Sequence, residues 1–138
     1  MSNYQRSKNY RYQFIKNNPG YLGDYRHYHC VYCGRKISKK EMQVDHVVSV
    51  YQAKHSILAR LFLKINGIND VNDPKNLVPS CAKCNKRKGK YSNGWVISAI
   101  IGKNYNIWKI RKICRFLFLI LLIFIIFYKI KLISFFIL

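Results

Sequence analysis

The sequence predicts an α+β fold followed by a hydrophobic C-terminal helix, and three observations carry that expectation. Residues 43–48 and 77–79 read as short strands. Between them, Val50, Ala53, Ile57, Leu58, Leu61, Phe62 and Ile65 recur at helical spacing, so residues 49–65 read as one amphipathic helix, with Gly67 at its C-terminal cap. Residues 116–128, FLFLILLIFIIFY, hold no charge. A chain of 138 residues has room for one domain. With the apolar tail set aside, about 115 residues remain, a size that often needs a metal or disulfides to hold together.

Taken in order, residues 1–27 form a basic, Tyr-rich arm in which no helical or strand period is sustained. Two readings stand side by side: an arm laid along a phosphate backbone with Tyr rings for stacking, or a terminus with little structure. Residues 28–112 form the main domain and residues 113–138 the hydrophobic tail. The stretch HYHCVYCGRK has the form of a metal knuckle, in which Gly34 supplies the positive φ of the turn. Residues 81–90, CAKCNKRKGK, open a second helix or turn.

Four of the five cysteines fall in two C-x-x-C pairs, Cys30 with Cys33 and Cys81 with Cys84, while Cys114 stands alone by the tail. The polar N-terminus reads as no secretory leader, so the thiols are expected to stay reduced in a cytoplasm. Four thiolates make a closed structural zinc site. His27 and His29 then flank the knuckle without ligating, and His55 is a surface residue. Formal net charge is +20, and only Arg115, Lys129 and Lys131 of the 25 basic residues lie beyond residue 112, against five acids in all. Such a balance points to a polyanionic partner, nucleic acid ahead of a membrane surface.

Between and just after the cysteine pairs lie VDHVVSV and NLVPSCAKCNKRKG. With CVYC, these segments resemble the HNH endonuclease family in its four-cysteine, zinc-bearing form, over about residues 30–90. The resemblance implies a small ββα-metal (His-Me finger) domain that cleaves DNA. Matched position by position, it makes Asp45 and Asn85 ligands of a catalytic divalent ion, His46 the general base and Asn76 the residue that orients it. Many relatives have His where Asn85 stands, and an amide oxygen there favours Mg²⁺ or Mn²⁺. The chemistry suits these residue types: imidazole titrates near neutral pH, and a hard cation on oxygen ligands neutralises the charge that grows on phosphate. An Asn accepting from one imidazole nitrogen would leave the other to take a proton. The basic residues Lys86, Arg87, Lys88 and Lys90 become candidate phosphate contacts, with Lys83 beside them and Lys88 foremost. No small-molecule cofactor is expected. The alternative is a non-catalytic zinc-ribbon module that binds nucleic acid at a membrane.

For the tail, thirteen uncharged residues make a helix of only about 20 Å, short of a hydrocarbon layer near 30 Å. Running on to Leu138 includes Lys129 and Lys131, each costing roughly 2.5 to 3.5 kcal/mol at the bilayer centre, against roughly 6 to 11 kcal/mol gained by the Leu, Ile and Phe residues. Insertion is favoured. Lys109, Arg111, Lys112 and Arg115 precede the uncharged run that starts at Phe116, which orients the domain to the cytoplasm.

Overall fold

The computed structural model describes residues 4–92 and 94–137, with side chains through residue 131. Residues 1–3 of the expected arm and Leu138 of the expected tail lie outside the described residues. The chain divides into two compact units, Met1–Tyr105 and Asn106–Leu138.

The first unit mixes short helices with two small antiparallel sheets. Helix α1, Tyr10–Asn17, forms inside what the sequence offers only as an arm. Its anchors are not periodic, which is why the pattern hides it. Phe14 is buried in the core, and the Arg11 guanidinium donates to the carbonyls of Met42 at 3.1 Å and Lys39 at 3.0 Å. Strands β1, His27–His29, and β2, Lys36–Ser38, pair around the Tyr28–Ile37 rung. The turn between them closes where Gly34 N donates to Cys30 O at 2.8 Å, with Gly34 at φ 70°, as the knuckle requires.

Strands β3, Gln43–His46, and β4, Leu77–Ser80, form the second sheet, with Asp45 opposite Val78 and His46 opposite Leu77. Helix α4, Ala82–Lys88, follows β4 after one residue, Cys81. Val31 N donates to Pro79 O at 3.1 Å, which ties the knuckle to β4. Both sheets share one core containing Tyr28, Val31, Ile37, Val44 and Val78.

The single helix expected over residues 49–65 is two: α2, Val50–His55, and α3, Ile57–Ile65. Ser56 breaks it. Its backbone is extended at φ −121°, ψ 124°, and its hydroxyl accepts from Ala59 N at 3.3 Å, a capping bond that a continuous helix would forgo. Arg60 then donates to the carbonyl of Lys54 at 3.0 Å, covering the end of α2. The break also rotates the apolar stripe. Ala53 and Leu63 are buried in a second small core with Val48, Ile68 and Val71, whereas Ile57, Leu58, Leu61 and Ile65 face solvent. Helix α3 ends as its Gly predicts: Gly67, at φ 65°, donates to Lys64 O at 3.0 Å and Ile68 N to Leu63 O at 2.9 Å, the paired bonds of a Schellman cap.

Helix α5, Trp95–Gly102, packs its end on the knuckle. A Cβ on Gly102 would lie 1.7 Å from the Val31 carbonyl oxygen, so only glycine permits this approach. Helix α6, Tyr105–Ile137, begins well before the apolar run and makes up the second unit. Its stretch Tyr105–Lys131 is long and apolar enough to cross a membrane, so α6 could serve as an anchor.

Candidate functional site

The Sγ atoms of Cys30, Cys33, Cys81 and Cys84 all lie within 4.8 Å of one another, with Cys33 and Cys81 at 4.0 Å. A tetrahedral zinc at about 2.3 Å from each sulfur sets neighbouring sulfurs about 3.8 Å apart, so this cluster could hold zinc after a small contraction. Burial pushes the Cys30 thiol up to about 11 and also raises Cys84. Burial would raise Cys81 too, but hydrogen bonds from Cys84, Cys30 and Cys33 outweigh it and pull that thiol down. Sulfurs this close, with three of the four cysteines buried and Cys33 exposed, favour thiolates only with a cation among them.

No histidine enters the cluster. His27 pairs with Asp24, and His29 donates through Nε2 to the Gly102 carbonyl at 2.8 Å. Burial lowers the pKa of His29, which keeps it neutral in that role. His55 is exposed, its Nδ1 on the Tyr51 carbonyl at 2.7 Å.

A metal held by the cluster would fix the start of α4 against the sheet, and α4 lies beside β3. Side chains alternate along a strand, so Gln43 and Asp45 share the face toward α4. Asn85 Nδ2 donates to Gln43 Oε1 at 2.7 Å, and the Lys88 ammonium reaches Asp45 at 3.1 Å from Oδ1 and 3.0 Å from Oδ2. The Tyr32 hydroxyl, from the knuckle, donates to Asp45 Oδ2 at 2.6 Å. Burial, then the Asp45 charge, push the Tyr32 phenol far up, so it stays a donor. Burial lowers the pKa of Lys88, and Asp45 counters that by stabilising the ammonium.

Lys88 is therefore a correction to the sequence reading. Instead of facing out to phosphate, its side chain is 0% exposed, bonded to Asp45 and, at 2.6 Å, to the His46 carbonyl. The reason is helical spacing: Cys81, Cys84 and Lys88 recur on the face of α4 turned to the sheet, where Asp45 supplies a buried countercharge. Lys86, Arg87 and Lys90 remain exposed, with Lys90 over the Tyr51 ring at 4.7 Å.

Asn76 is a second correction. None of its side-chain hydrogen bonds goes to the His46 ring. Its Oδ1 accepts from Val48 N at 2.9 Å, and its Nδ2 donates to Val48 O at 3.1 Å and Val71 O at 2.8 Å. With Val47 N on the Asn76 carbonyl at 2.7 Å, the residue clamps the backbone just after His46.

The His46 ring meets Asn72 instead. Asn72 Oδ1 lies 3.3 Å from His46 Nε2 and also accepts from Ser7 N at 3.0 Å, while Asn72 Nδ2 donates to Gln5 O at 2.7 Å and to Asp70 Oδ1 at 2.9 Å. Those bonds identify Oδ1 as an acceptor, so His46 Nε2 carries the proton. The lone pair of neutral His46 then sits on Nδ1. Tyr10 lies against the ring at 5.1 Å between centroids, and His46 is 2% exposed. Burial lowers its pKa, opposed by the Asn72 hydrogen bond, with a further lowering from Arg6.

Sequence reasoning thus missed Gln43, Tyr32, Asn72 and Tyr10. Strand alternation from Asp45 could have found Gln43, and the position of Tyr32 inside the first C-x-x-C pair was a cue. Asn72 and Tyr10 carried no local signal. Compared with known proteins, the chain matches no family model, no curated protein and no solved structure.

Proposed function

We propose that this chain is a metal-dependent endonuclease of the HNH type that hydrolyses phosphodiester bonds of DNA. The observation that carries the reading is the order of parts: β3 presents Asp45 and His46, β4 pairs with it directly after Asn76, and α4 returns Asn85 to the Asp45 face. A zinc on Cys30, Cys33, Cys81 and Cys84 would fix α4 to the knuckle at its first turn.

The hard oxygen donors Asp45 and Asn85 suit Mg²⁺ or Mn²⁺. Asp45 accepts from Tyr32 on Oδ2 and from Lys88 on Oδ1, and a carboxylate has about four acceptor positions, so acceptor capacity remains for a metal bond. The bond from Asn85 Nδ2 to Gln43 turns Asn85 Oδ1 away from Gln43. A cation held there supplies charge neutralisation at the phosphate. His46 contributes the base: with Nε2–H held by Asn72, Nδ1 takes the proton from water. Asn76 serves this by fixing the backbone on which His46 sits. Lys86, Arg87 and Lys90 supply phosphate contacts. Helix α6 tethers this unit to a membrane, with the basic residues before its apolar run favouring a cytoplasmic domain.

Two observations favour a second reading, a non-catalytic zinc module that binds nucleic acid at the membrane: Asp45 is already ion-paired, and His46 is buried. Full-length protein in detergent, incubated with supercoiled plasmid and Mg²⁺ or Mn²⁺, separates the two. The nuclease reading expects nicking that His46→Ala abolishes; the binding reading expects salt-sensitive binding that survives His46→Ala, and no cleavage.

A further inference from the structure

A general base must meet water, yet His46 is 2% exposed. Something over it must move. The elements beneath and beside it are fixed: β3 and β4 belong to the core, and the turn bearing Asn72 is held by fully buried Val71 and by the Asp70 carboxylate, which accepts from Asn72 N at 2.9 Å. Helix α1, which brings Tyr10, is pinned by Arg11 and Phe14.

Residues 5–9 are held differently. All five are exposed, and none of their side chains belongs to either core. Asn72 ties it down through the bonds to Gln5 O and Ser7 N, and the Arg6 guanidinium lies over the Tyr10 ring at 5.5 Å, with Tyr4 packed against the second core at one end and α1 at the other. A segment held by a few hydrogen bonds without buried apolar surface opens at small cost. The amide oxygen that accepts from Ser7 N is also the one that meets the His46 ring, so the segment docks on the imidazole's own partner.

We propose that residues 5–9 form a cover over His46, latched by Asn72, which must lift before nucleic acid reaches the base. This rests on reading His46 as the general base of a nuclease. The segment carries Arg6 and Lys8, so an approaching phosphate backbone attracts the cover itself. The resting protein is a closed form, and its activity follows the fraction of molecules with the cover open.

Ser7→Pro removes the amide hydrogen that bonds Asn72 Oδ1 while leaving Asn72 and His46 intact. The full chain in detergent, wild type and variant, is treated with diethyl pyrocarbonate, and the carbethoxylation rate of His46 is read by peptide mass against exposed His55. Wild-type His46 is expected to react at least about tenfold slower than His55. Ser7→Pro should accelerate His46 by about three- to tenfold, the shift one net hydrogen bond produces, leave His55 unchanged, and raise plasmid nicking by the same factor. Tyr4→Ser, which loosens the other end, is the second variant should Ser7→Pro lose zinc. His46 reacting as fast as His55 in wild type, or no acceleration in a zinc-loaded variant, overturns the cover. Acceleration without cleavage in either protein sustains the cover and sinks the nuclease reading instead.

Discussion

Asp45 is where charge and burial meet most directly. Its carboxylate, 8% exposed, is balanced by an ammonium whose side chain is 0% exposed, and both are held further by Tyr32 and the His46 carbonyl. Removing one member of such a pair strands the other charge, which costs roughly 3 to 5 kcal/mol. Lys88→Ala is therefore expected to lower unfolding free energy by about that amount, measured by urea titration of the zinc-loaded protein. A loss below about 1 kcal/mol would return Lys88 to the ordinary surface lysines.

His46 yields a prediction of opposite character, on rate rather than stability. Burial lowers its pKa below the usual 6.5, so the neutral, proton-accepting form persists to lower pH than an exposed imidazole would allow. Activity should thus rise with pH and level off early, with the acid limb centred below pH 6.5. A nicking profile with its limb above pH 6.5 would contradict the buried, Asn72-bonded geometry.

At the scale of elements, much of the domain was legible because the signals were local. Gly34 and Gly67 mark their turns by φ, the cysteine pairs mark the knuckle and the start of α4, and β3 and β4 lie where Val44, Val47 and Val48 and then Leu77 and Val78 fall in short runs. What stayed illegible depended on partners far along the chain. Helix α1 is ordered by Arg11 meeting carbonyls some 30 residues away, and Lys88 is drawn inward by Asp45 across 43 residues. Ser56 was readable in principle, since a serine within an apolar period is a cap as readily as an interior residue. The same long-range logic governs Gly102, whose absent side chain lets α5 meet Val31. Gly102→Ala should cost roughly 1 to 3 kcal/mol or more in thermal or urea unfolding, because the added methyl meets backbone rather than a yielding side chain. A variant of unchanged stability would mean that α5 does not press on the knuckle.

At the scale of the whole molecule, each unit has one feature that governs its setting. The cysteine cluster brings the knuckle to the segment that opens α4, across the 47 residues between Cys33 and Cys81, so a metal held there would link binding to folding. Stripping zinc with a chelator should abolish cooperative unfolding and expose apolar surface to a fluorescent dye, and re-addition should reverse both. Retention of a sharp transition without metal would show that the first unit folds on its hydrophobic core alone. The second feature is α6, whose apolar surface has no cover within its own unit and suits a bilayer by length and composition.

The nuclease proposal itself depends on one experiment above the others: conversion of supercoiled plasmid to open circle by the full-length protein with Mg²⁺ or Mn²⁺, set against Asp45→Asn and His46→Ala. The account predicts nicking by the wild type, its loss on chelating the divalent ion, and a drop of at least about a hundredfold in either variant, the lower end of what a general base contributes. Equal rates in wild type and both variants, or no cleavage by either the zinc-loaded wild type or the zinc-loaded Ser7→Pro protein, would contradict it.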